Sequence, residues 1–173
     1  MSGLPLDAPM PSVLLMDPIE LLTRQHEEAE ALFQQVAVAS GDEKTHLFRR
    51  LAYLLTLHTQ LEERFFYPDV KLAETSDLIQ HSYDDHAEAK ALISQLLHLE
   101  VGDMQFEPAL VSLRESVEAH VAEERSVLFP QVRRLLSAEH LARLGHELER
   151  GVSELTQPGA LPAVSHDSQL GAI

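Results

Sequence analysis

Four histidines constrain this chain more than any other feature: His26, His58, His86 and His120. Two of them are followed four residues later by a glutamate, as His58-x-x-x-Glu62 and His120-x-x-x-Glu124. On a helix that spacing sets both side chains on one face, one turn apart. The text beyond each pair also matches: Pro68 and Pro130 fall ten residues after the histidine, Val70 and Val132 twelve. His26 precedes His58 by 32 residues and His86 precedes His120 by 34, so the chain reads as two copies of one unit. Each unit predicts an αα-hairpin, and two such hairpins pack around a shared centre.

The apolar pattern supplies the helices. Asp17-Pro18-Ile19-Glu20 is a helix start, with a capping aspartate and proline at the first helical position. Ile19, Leu22, His26, Ala29, Phe33 and Val36 then recur at spacings of three and four, and Gly41 is expected to end this helix. A second helix, from about Asp42 to Tyr67, carries Leu47, Leu51, Leu54, His58, Leu61 and Phe65, after which Pro68 breaks or kinks it. Ser76-Asp77 opens a third, with Ile79, Ser82, His86, Ala89, Ile93 and Leu96 on its seam. The fourth begins near Phe106-Glu107-Pro108 and carries Leu110, Leu113, Val117, His120, Glu124 and Val127. A shorter amphipathic stretch follows, capped by Ser137, with Leu141, Leu144 and Leu148 on one side.

No window alternates with the period of a strand. The expected fold is therefore all-α: an up-down-up-down four-helix bundle over 17–136 and an added helix over 137–156. A flexible N-terminal segment, 1–16, with Pro5, Pro9 and Pro11, and a disordered tail, 157–173, complete the expected domain plan.

Composition narrows the function classes. The absence of cysteine excludes disulfides, thiolate metal sites, iron–sulfur clusters and thiol nucleophiles. With 28 acidic against 13 basic residues, the charge of -15 argues against a nucleic-acid partner and against docking on an anionic membrane. No stretch reaches the roughly 18–20 apolar residues that span a bilayer. The run Val13-Leu14-Leu15-Met16 has no basic residue before it, as a secretory signal would, so a cytoplasmic protein is expected.

Spacing alone is weak evidence, because ten histidines and 28 acids in 173 positions give about 1.6 His-to-acid pairs at i+4 by chance. Placement decides the matter. Each of the four histidines occupies a seam position where leucine is expected, one per helix. Four buried imidazoles and two buried carboxylates would be costly without a common partner. A first-row metal is the partner these groups suit. One ion would be saturated by six ligands. Two ions sharing them would each take two histidines, with Glu62 and Glu124 bridging and positions left for an oxo or hydroxo bridge and a diatomic or peroxide ligand. The pattern lacks the Glu-x-x-His pairs of ferritin-like centres and the H-E-x-x-H of zinc proteases.

The order His26, His58-x-x-x-Glu62, His86, His120-x-x-x-Glu124 resembles the hemerythrin-like (HHE cation-binding) family over about residues 17–135. The resemblance implies a four-helix bundle with two non-haem iron ions. It gives the four histidines the role of terminal ligands and the two glutamates that of bridges. Binding of O2, nitric oxide or peroxide, with weak catalase- or peroxidase-like turnover, is one implied activity; non-catalytic iron sensing or storage is the alternative. The sequence departs from the oxygen-carrying members, which have H-x-x-x-H on the third helix and H-x-x-x-x-D on the fourth. His81, five residues before His86, is a candidate seventh ligand that would need local unwinding. Tyr83 is a candidate hydrogen-bond donor near the site. Glu30 is assigned to a solvated acidic face, and His46, His98, His140, His146 and His166 to the surface.

Overall fold

A computed structural model describes residues 17–161, and every regular element among them is helical. The segment 1–16 and the tail beyond 161 lie outside the described residues. The first hairpin comprises α1 (Pro18–Val38) and α2 (Gly41–Leu61), the latter continuing through a π-helical segment (Glu62–Phe66) into α3 (Tyr67–Val70). The second comprises α4 (Ser76–Leu97) and α5 (Phe106–Glu123), continuing through a second π segment (Glu124–Leu128) into α6 (Phe129–Leu135). The last helix, α7 (Ala138–Leu155), packs on α1, α2 and the first π segment. Among the described residues no helix is long and apolar enough to cross a membrane.

Local chemistry sets the helix starts. Asp17 Oδ1 accepts from the Ile19 and Glu20 amides at 2.9 and 3.1 Å, and Arg133 of α6 pairs with the same carboxylate at 2.8 Å. Ser137 caps α7 by accepting from the His140 amide. Gly41 was expected to stop α1; instead it is the first residue of α2, and its positive φ of 56° makes the sharp turn between the hairpin's arms.

Neither Pro68 nor Pro130 breaks its helix. In a regular helix a proline ring collides with the carbonyl four residues back. Here the turn before each proline is widened, with the Tyr67 amide bonding Glu62 O and the Phe129 amide bonding Glu124 O, five residues back. The extra residue also slips the buried face by one position. Phe66 rather than Phe65 is fully buried, and Leu128 is buried while Val127 is exposed. Tyr67 and Phe129 are thereby turned into the core.

The core has two apolar clusters. One, including Leu32, Phe33, Phe48, Leu51, Ile93, Phe106 and Leu113, fills the end near the α1–α2 and α4–α5 turns. The other, including Leu22, Leu61, Phe66, Ile79, Leu128, Leu144 and Leu148, joins the two hairpins to α7. Between them lies a layer of buried polar side chains.

Candidate metal centre

That layer is made of His26 (α1), His58 (α2), His86 (α4), His120 (α5) and the first residues of the two π segments, Glu62 and Glu124, all buried. The imidazoles form two pairs, each within one hairpin: His26 and His58 approach at 3.0 Å between Nε2 atoms, His86 and His120 at 3.2 Å. The carboxylates link the pairs. Glu62 Oε2 lies 3.2 Å from His58 Nε2 and 3.2 Å from His86 Nε2. Glu124 Oε2 lies 3.3 Å from His26 Nε2 and 3.5 Å from His120 Nε2. Each glutamate thus touches one histidine from each hairpin.

These spacings fit donor atoms that could share a cation. Two donors about 2.1 Å from a common ion and 90° apart are separated by about 3.0 Å. The Nε2–Nε2 and Nε2–Oε2 distances cluster near that value. The layer also leaves Glu62 Oε1 and His26 Nδ1 with no hydrogen-bond partner, while Glu124 Oε2 meets only the Nε2 atoms of His26 and His120, in no hydrogen-bond geometry. Buried anionic oxygens without a donor are costly unless a cation serves them.

Three of the four rings are held from outside. His58 Nδ1–H donates to Gln25 Oε1 at 2.8 Å, His86 Nδ1–H to Glu63 Oε1 at 3.0 Å, and His120 Nδ1–H to Asp85 Oδ2 at 3.3 Å. Each bond points Nδ1–H outward and Nε2 inward, toward the layer. Lys90 in turn clamps Glu63 at 2.6 and 2.7 Å.

Without metal, the layer divides its protons unevenly. Burial, with His58 beside it, pushes His26 down to about 3. Burial acts against the charged form of His86 too, but its bonds to Glu62 and Glu63 outweigh that and raise it to about 9. Burial and the charge of Glu62 raise Glu124 to about 7. Burial would raise Glu62 as well, yet His58 and His86 hold its carboxyl well below the usual range.

Tyr67, and not the expected Tyr83, belongs to the centre. Its hydroxyl lies 3.1 Å from Glu62 Oε2, 3.0 Å from Glu124 Oε1 and 3.3 Å from His86 Nε2. Burial and the two carboxylates raise its pKa well above 10. Tyr83 packs on the Tyr67 ring and donates to the Glu63 carbonyl instead. A signal existed in the repeat: Tyr67 and Phe129 both fall nine residues after a motif histidine and directly before the proline. Phe129 stacks on His26, and Tyr67 lies against His86, so each aromatic covers a histidine of the opposite hairpin.

On the other side of the layer is a cavity of about 30 Å³, lined by the four histidines, Gln25, Asp85 and apolar groups that include Ala29, Leu54, Ala89 and Val117. A groove between α1 and α5 shares His26, Val117 and Val121 with it and opens to solvent near Arg125.

His81 is not brought into this layer. It is exposed, 2.6 Å from Glu123 and 3.7 Å from Asp85, and these carboxylates raise its pKa, Glu123 most. The five-residue offset from His86 carries it around α4 to the surface. Glu30, His46, His98 and His146 are exposed as expected, whereas His140 is half-buried and bonds Asp69; His166 lies outside the described residues.

The fold and this layer define a class: a helical bundle with a histidine–carboxylate cation site at its middle. Residues 17–132 match the hemerythrin family, described as the hemerythrin HHE cation binding domain, and the chain belongs to that family. It is similar to the solved structure of a hemerythrin HHE cation binding domain-containing protein from Mycobacterium kansasii, with a TM-score of 0.68 and 24% identity, covering 78% of this chain and 83% of that one. It is also 26% identical over 139 residues to a protein named DNA nickase from Nostoc sp., covering 80% of this chain but 40% of that protein.

Proposed function

We propose that this chain is a non-haem di-iron protein that binds O2, nitric oxide or peroxide. The near-3.0 Å spacing of the inward ligand atoms carries the reading. His26 and His58 would hold one ion, His86 and His120 the other, and Glu62 and Glu124 would join them. Imidazole with carboxylate suits iron among the first-row metals. Such a pair supplies Lewis acidity and redox chemistry at open coordination positions. Gln25, Glu63 and Asp85 keep three rings oriented for this. Tyr67 keeps a proton beside both carboxylates on one face of the layer. The apolar cavity on the opposite face has room for a diatomic-sized occupant. The charge of -15 opposes binding of a polyanion, so nicking of DNA is not part of the proposal.

The test mixes iron-loaded protein with hydrogen peroxide and follows both peroxide and the near-ultraviolet spectrum. The expected result is consumption faster than buffer with equal free iron, accompanied by a spectral change. Val117→Phe, which fills the cavity, should suppress both while iron content is retained. Consumption no faster than free iron would remove the peroxide reading and leave a non-catalytic iron sensor or store.

A further inference from the structure

The two halves of the centre are built from matching positions, so their surroundings can be compared residue by residue. Gln25 precedes His26 and accepts from His58; Asp85 precedes His86 and accepts from His120. Glu63 follows Glu62 and accepts from His86; Arg125 follows Glu124 and can accept nothing, and His26 Nδ1 is left without a partner. One half is therefore surrounded by a neutral amide and a cation, the other by two carboxylates. Lys90 offsets Glu63, which leaves Asp85 as the uncompensated anion on that side, since His81 beside it is exposed and pairs more closely with Glu123. Arg125 is exposed and shares its groove with Glu30 and Glu118, so part of its charge is screened. Asp85 is the sharper difference.

A carboxylate that accepts the N–H of a metal-bound imidazole makes the ring a better donor and fixes its aim. An amide fixes the aim without lending charge. Building on the two-ion reading, we propose that the two positions are unequal: the His86/His120 position binds its ion first and more tightly, and the His26/His58 position, beside the solvent-open groove, is the exchangeable one. Removal of such an outer carboxylate costs about 10–100-fold in metal affinity.

The full chain, stripped of metal, is titrated with cobalt(II) at about pH 9, where displacing the His86 proton costs little, with visible absorbance and heat recorded. Two steps are expected, the first at least about tenfold tighter. His86→Ala should abolish the tight step, and His26→Ala should keep it and lose the weak one. Asp85→Asn retains an acceptor oxygen and loses only the charge; it should weaken the first step by about 10–100-fold and merge the two. Gln25→Glu makes the reciprocal change and should tighten the second step, a gain that misfolding cannot mimic. Two equal steps insensitive to both swaps, or a tight step lost with His26→Ala, would overturn the inequality and leave the two-ion reading intact. One ion per wild-type chain would overturn both.

Discussion

In the first hairpin, Glu62 opens a π segment that α7 covers. Gly151 there comes so close that a Cβ would lie 2.8 Å from Leu61 Cδ1 and Phe65 Cδ2. In the second, Glu124 opens a matching π segment whose residues Arg125, Ser126 and Val127 are exposed. The inward geometry is nevertheless nearly the same, with 3.2 Å from His58 to Glu62 and 3.5 Å from His120 to Glu124. The inward geometry is thus set locally, by H-x-x-x-E followed by a widened turn. The neighbours that α1, α4 and α7 bring to each half differ, and they set its charge, donors and access.

Removing a shared element should break both halves at once. Glu62→Ala or Glu124→Ala should reduce metal content from two ions per chain to fewer than one, a larger loss than the single ion that His26→Ala or His86→Ala removes, because each carboxylate touches both histidine pairs. Elemental analysis of the purified variants checks this.

Acidity should separate the halves next. Without metal, His86 keeps a proton up to about pH 9 and Glu124 up to about pH 7, while His26 stays neutral down to about 3. Loading displaces the first two protons, so metal affinity should rise with pH by up to about tenfold per unit per proton and level off above about 9. The empty bundle should behave in the opposite sense. Stability linked to His86 is complete below 6.5 and lost as pH rises through about 9, and that linked to Glu124 is lost through about 7. His26 adds a loss of stability as pH falls below 6.5. Calorimetry in two buffers of different ionisation heat counts the protons released, and more should appear at pH 6 than at pH 9.5.

Chelation should lower the melting temperature by about 10 °C, from about 4 kcal/mol of linkage at a thousandfold excess over Kd. The helical circular dichroism should persist, because both apolar clusters remain. Unchanged melting would place the metal outside the core. A smaller effect is expected from Tyr67→Phe, which copies Phe129 into the first hairpin. The buried carboxylates lose a donor, at about 1.5–3 kcal/mol in the empty protein. The penalty should shrink once metal is bound, and denaturation with and without metal measures it. The smallest change is His81→Ala: metal content should be unaltered and stability shifted by less than about 0.5 kcal/mol, as for an exposed pair.

The bundle and the six converging side chains were legible because both are written in periodic positions. His26, His58, His86 and His120 replace leucine on helical seams, and the seams hold up to Glu62 and Glu124. Legibility ended where the period did. The extra residue in each π segment puts Phe66 and Leu128 in the core in place of Phe65 and Val127, and it turns Tyr67 inward. A 3.6-residue template carried past residue 62 leaves Tyr67 off the seam, and Tyr83 took its place. The outer partners Gln25, Glu63 and Asp85 were hidden for another reason. They are half-buried polar residues whose role depends on which helix packs beside them.

The most direct test is the metal content of freshly purified protein from cells grown with ample iron. The two-ion centre predicts about two irons per chain, falling together with the near-ultraviolet absorbance on chelation. One tightly held zinc per chain, with no iron, would contradict it.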